Sequence, residues 1–155
     1  MGAVSRSPFQ DMKIALALET TDIGGTNATS AYFDLAGYGA ITFIIQLGDK
    51  DGANWDATAT DNLTECYLKQ ATDTAASGAK AITGAEINTD LDAVGEIGAL
   101  TVRANALDIA NDFDCVACYV SEDGNTDVDY VTIWAILHEA HYHYTGYVNA
   151  YKILG

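Results

Sequence analysis

Apolar and polar residues alternate along most of this chain with a period of two. Met12, Ile14, Leu16 and Leu18 are interleaved with Lys13, Ala15, Ala17 and Glu19, the pattern of a half-buried strand. Turn-forming residues at 21–27 interrupt it, and a short strand is expected at 31–35, ended by Gly37. Ile41, Phe43, Ile45 and Leu47 then alternate with Thr42, Ile44 and Gln46, predicting a third strand, and a polar loop covers 48–60. Residues 63–70 read as a strand with Cys66 and Leu68 on one face. A helical turn is expected at 71–77, then short strands at 81–82 and 86–87 on either side of Gly84. Leu91, Val94 and Ile97 recur at helical spacing, but Gly95 and Gly98 would each cost about 1 kcal/mol in a helix interior. A loop followed by a strand through Leu100, Val102 and Ala104 is the better reading.

Residues 113–120 and 128–137 are expected to pair as a hairpin, because Asp123-Gly124 between them tolerates positive φ. The second arm is apolar on both parities. Val131, Ile133, Ala135 and Leu137 lie on one, and Tyr130, Trp134 and Ile136 on the other. Such a strand is either central to two packed layers or covered by another chain. The pattern therefore predicts an all-β, single-domain β-sandwich or jelly roll over 11–140, with a polar N-terminal arm at 1–10. Residues 141–155 differ in kind. They are rich in tyrosine and poor in aliphatic residues, which suits either a final edge strand or an interaction arm.

Composition narrows the function classes. The chain has 155 residues, with 22 Asp and Glu against 7 Lys and Arg, for a formal net charge of −15. A nucleic-acid binder needs a basic footprint to displace phosphate counterions, and an anionic membrane needs one too; neither partner fits this chain. No run of apolar residues is long enough to span a bilayer, and residues 1–6 lack the apolar core of a signal peptide. The apolar fraction of 49% distinguishes the chain from a disordered acidic one, although 25 alanines make the core thinner than that figure suggests. Three cysteines, Cys66, Cys115 and Cys118, are too few for a disulfide framework and fit a reducing compartment of synthesis.

Several constellations approach a chemical motif without completing it. His138-Glu139-Ala140-His141 places its histidines three apart rather than four, on a strand-like segment, so it is no zinc-protease helix. Cys115 and Cys118 with His138 and His141 make the right number of zinc ligands, but an alternating strand would point the two sulfurs to opposite faces. The acidic loops at 49–56 and 123–129 have oxygen donors but lack the spacing of a calcium loop, and solvated acidic loops are expected in so anionic a chain. Asn27-Ala28-Thr29 and Asn62-Leu63-Thr64 match the glycosylation sequon only by composition. No nucleophile elbow or phosphate loop is present. No catalytic residue, metal site or cofactor is expected. The candidate interface residues are aromatic: Phe9, Tyr130, Trp134, Tyr142, Tyr144, Tyr147 and Tyr151.

The order of segments resembles a known group. An alternating opening strand precedes Ser30-Ala31-Tyr32-Phe33-Asp34-Leu35-Ala36-Gly37-Tyr38, which leads into Ile41-Thr42-Phe43-Ile44-Ile45. Gly78-Ala79-Lys80-Ala81-Ile82 and a terminal strand pair with an aromatic tail follow. This is similar to the small β-sandwich structural proteins of tailed-phage virions, notably capsid decoration (cement) proteins. The resemblance implies a non-enzymatic protein, made in a bacterial cytoplasm and bound as homotrimers to the major capsid protein on the outer capsid surface. There it would reinforce the shell by bridging capsomers. A head–tail connector or tail component is the neighbouring alternative. A carbohydrate-binding β-sandwich, stacking sugar on Trp55, Trp134 or the tail tyrosines, is the alternative from a different class.

Overall fold

The alternating segments become nine β-strands in the computed structural model, which describes residues 12–48, 63–87, 91, 95–122 and 130–140. They are β1 (Lys13–Asp22), β2 (Asn27–Thr29), β3 (Phe33–Asp34), β4 (Tyr38–Gly48), β5 (Leu63–Ala71), β6 (Lys80–Glu86), β7 (Ile97–Arg103), β8 (Cys115–Glu122) and β9 (Tyr130–Ala140). A first sheet has the order β1-β9-β4-β7; the second is β2-β8-β5-β6, with β3 also paired to β8. All pairings are antiparallel. The fold is the expected all-β sandwich. Among the described residues no helix is long and apolar enough to cross a membrane.

The core lies between the sheets and is built from one parity of each central strand. Ile41, Phe43, Ile45 and Leu47 of β4 and Val131, Ile133, Ala135 and Leu137 of β9 face Cys66 and Leu68 of β5 and Val116, Cys118 and Val120 of β8. Phe33 closes one end with its ring edge-on to Phe43, 6.1 Å between centroids. The buried polar groups are satisfied. Ser30 exchanges hydrogen bonds with Cys118, donating its backbone N–H to the Cys118 carbonyl and accepting the Cys118 N–H on its hydroxyl. Gln70 Oε1 accepts the Asp108 N–H at 2.9 Å, and a Glu122 carboxylate oxygen accepts the Gly25 N–H.

Four expectations are corrected. The hairpin expected between 113–120 and 128–137 does not form. β8 pairs with β2, β3 and β5 in the second sheet, whereas β9 pairs with β1 and β4 in the first. The Asp-Gly signal reports a local reversal and does not choose the sheet that the next strand enters. In β1 the smaller residue set faces inward: Ala17 is buried, while Ile14 and Leu16 are exposed. A register shift between Leu16 and Leu18 accounts for the mixed pattern. Leu16 opposes Trp134 but Leu18 opposes Ile133, so the strand changes face at a bulge. Residues 71–77 form no helical turn. The Asp73 carboxylate accepts the N–H groups of Ala75 and Ser77 at 2.9 and 3.0 Å and organises a tight loop instead. The two short strands around Gly84 are one strand, β6, which bows away from β5. Tyr67 pairs with Glu86 and the next paired residue, Lys69, with Ala81.

The glycines that argued against a helix at 91–109 have a structural reason. At Gly98 on β7 an added Cβ would lie 2.7 Å from Ile87 and 2.9 Å from Leu91, so the strand passes close beneath the residues that follow β6. β7 holds Leu100 and Val102 of the expected strand, but Ala104, expected at its end, instead opens the first of two single-turn 3-10 helices, Ala104–Ala106 and Ile109–Asn111. The arm at 1–10, the loops at 49–56 and 123–129, and the segment 141–155 lie outside the described residues.

Candidate functional site

The four strands of the first sheet turn one parity to the core, and the other parity forms an outer face. The register orders that face into rows. In the middle row Leu16, Trp134, Ile44 and Ala99 lie side by side on β1, β9, β4 and β7. The row on one side is Ile14, Ile136, Thr42 and Thr101; on the other, Thr132, Gln46 and Ile97 are in register. Thr20 joins this last row through a 2.9 Å hydroxyl–hydroxyl hydrogen bond to Thr132. Five large hydrophobic residues are exposed among the described residues, and four are on this face: Ile14 (54%), Leu16 (42%), Trp134 (41%) and Ile97 (63%). The fifth, Ile109, stands alone in a 3-10 turn.

Charge is excluded from the same surface. The four strands contain three of the chain's 22 acids: Glu19 and Asp22 on the edge strand β1, and Glu139 at the end of β9. None falls in the three rows. On a chain of net charge −15, these three rows gather exposed aliphatic and aromatic side chains, with threonines and Gln46 among them, and hold no carboxylate.

A polar group bounds the face at one end. His138 Nε2 lies 3.0 Å from Thr42 Oγ1, and Thr42 in turn hydrogen-bonds to Thr101 at 2.8 Å. Arg103 grips Glu139 through both nitrogens, at 3.0 Å each. Glu139 holds a left-handed backbone, φ 57°, and packs so closely on Gly39 that a Cβ there would lie 2.9 Å from the Glu139 Cβ. His138 and Glu139, singled out by sequence, have His138 Nδ1 4.0 Å from Glu139 Oε1, but Glu139 is engaged by the guanidinium. The group closes the sheet end.

The outer face of the second sheet has a different character. Tyr67 and Tyr119 are paired across β5 and β8 with ring centroids 4.7 Å apart, and Lys69 Nζ sits 4.1 Å above the Tyr119 ring. Burial, the neighbouring Tyr119 and Glu65 push the Tyr67 phenol up from its ordinary value. Glu65 stands beside them, so aromatic bodies here are interleaved with charge. Sequence reading missed this cluster. The alternation of Glu65, Tyr67 and Lys69 was the available signal.

Of the expected interface residues, Tyr130 and Trp134 fall on the outer parity of β9, Tyr130 half-buried beside Gly48 and Trp134 at the centre of the apolar rows. Phe9, Tyr142, Tyr144, Tyr147 and Tyr151 lie outside the described residues, as do Trp55 and His141. Cys115 and Cys118 belong to the second sheet and His138 to the first, so the structure does not bring the described members of the Cys–His set together. The Cys118 thiol faces the core and is held well above its ordinary pKa by a hydrogen bond with Cys66 and by burial. Cys115 donates to Asp114 Oδ1 at 3.3 Å, and Asp34 completes a group whose ligand atoms lie within 4.8 Å of one another. Burial, then the hydrogen bond and charge of Asp114, push the Cys115 thiol up to about 12. A thiol held neutral in this way is a poor nucleophile. Compared with known proteins, the chain matches no family model and no curated protein.

Proposed function

We propose that this chain is a non-enzymatic structural protein that works as a subunit of a larger assembly, in the manner of the tailed-phage capsid decoration proteins its segment order resembles. In that role it binds the outer surface of the capsid and stabilises the shell by bridging capsomers. The observation that carries the reading is the acid-free apolar outer face of the first sheet, centred on Leu16, Trp134 and Ile44. Such a face is covered by a neighbouring subunit, and the remaining charge keeps the particle surface solvated. The terminal segments, polar at 1–10 and tyrosine-rich at 141–155, are by composition the candidate arms toward the shell. A sugar-binding role would use Trp134 as a stacking platform, but its register neighbours are Leu16 and Ile44 rather than the polar groups that hold sugar hydroxyls.

Copy number on purified particles tests the proposal. The chain is expected to co-purify in stoichiometric amount with the major capsid protein, and Leu16→Glu to lower its occupancy at least tenfold, the ratio that about 1.4 kcal/mol of lost association produces. A few copies per particle would instead indicate a connector or tail component and overturn the decoration role.

A further inference from the structure

We infer that the occupant of the apolar face is a second copy of this chain, docked face to face about a twofold axis. The inference rests on the reading of that face as an interface and specifies what covers it. Symmetry makes the first argument. The pair departs from the homotrimer that the resemblance implies, because a ring of three or more copies uses heterologous contacts, in which one patch meets a different, complementary patch. The described surface has only one such patch: beyond the four exposed apolar residues of the first sheet, Ile109 is the sole large hydrophobic exposed. A single patch is buried between identical chains by meeting itself, which is the isologous contact of a pair.

Charge makes the second argument. Two copies each carrying −15 repel one another on approach. That repulsion is least where no carboxylate is brought against another, and the three rows of the first sheet hold none. The second sheet is unsuited to the same contact, since Glu65 and Glu86 flank its tyrosines.

Geometry makes the third. Four strands at about 4.8 Å spacing and seven residues at about 3.3 Å rise give a face of roughly 450 Å². Two such faces cover roughly 900 Å² of projected area, close to the ~1,000 Å² lower limit of a biological interface. Two twisted sheets stack at about 30° with their faces ~10 Å apart, so Trp134 of each copy sits near the centre of the contact, where an aromatic anchor is most effective. An interface of this size is modest, and the pair dissociates on dilution.

Sedimentation velocity and equilibrium on the full chain test the inference. The wild type is expected at twice the 16.4 kDa chain mass at high concentration, shifting to monomer on dilution. Added salt is expected to strengthen the pair by screening like charge. Leu16→Glu and Trp134→Glu each change an exposed side chain and are expected to leave the thermal midpoint near that of the wild type while giving monomer throughout. Tyr67→Ala on the opposite face is expected to keep the pair. A wild type that stays monomeric at high concentration would overturn the self-pairing; if Leu16→Glu still abolished shell binding, the interface reading would survive with another protein as occupant. A trimer that Leu16→Glu breaks would equally overturn the twofold pairing, and a pair indifferent to both glutamate substitutions would overturn this face as its seat.

Discussion

Trp134 shows how one side chain can mark a surface. It sits on a central strand whose other parity is buried from Val131 to Leu137, flanked in register by Leu16 and Ile44, yet it is 41% exposed. An indole in that position adds little to the stability of the isolated chain and much to a contact that desolvates it. The cysteines show the opposite arrangement. All three are buried, and the Cys115 and Cys118 thiols are held neutral by burial and by their hydrogen-bonding partners. Alkylation followed by mass spectrometry is expected to label none of the three in the native protein at mildly alkaline pH and all three after denaturation. The same shifts set an alkaline limit. An unfolded Cys115 ionises near about 8.5, while the folded thiol resists to about 12, so raising pH through that interval favours the unfolded state and stability declines.

At the scale of elements, the strands themselves were legible because period two is the direct signature of a face. Residues 41–47 read correctly and became the core strand β4, while the two-sided apolar pattern of 130–137 announced both the core parity of β9 and the outer face. What was not legible was which strand neighbours which. Nothing local in 113–120 tells that β8 joins β5, because sheet assignment depends on long-range burial rather than on the turn that follows. The facing of β1 was hidden for a related reason. A bulge after Leu16 changes the parity, and only the partner strand reveals it. The loop joining β5 to β6 shows local chemistry overriding a helical reading. Hydrogen bonds from the backbone and hydroxyl of Ser77, and from the Ala75 N–H, hold the Asp73 carboxyl below its usual range. A carboxylate depressed on folding stabilises above its unfolded pKa and ceases to do so as pH falls through the lowered folded value. Asp73→Ala is therefore expected to lower the thermal midpoint at neutral pH and to lose that effect in strong acid, as followed by circular dichroism.

At the scale of the whole molecule, the two sheets divide the surface by chemistry. The first presents aliphatic residues, threonines and one tryptophan; the second presents paired tyrosines under a lysine with glutamates alongside. Among the described residues of this acidic chain, exposed aliphatic side chains free of carboxylates gather on the first sheet, and that polarity suits a subunit that is seated by one face and solvated on the others. Oxidative footprinting reads the claim most directly, because hydroxyl radicals report side-chain exposure residue by residue. Labelling of Trp134, Leu16 and Ile14 is expected to be strong in dilute protein and to fall by about tenfold under conditions of assembly, the change that near-complete burial in a well-packed interface produces, while Tyr67 and Tyr119 keep their labelling. Equal labelling of Trp134, Leu16 and Ile14 in both states would contradict it.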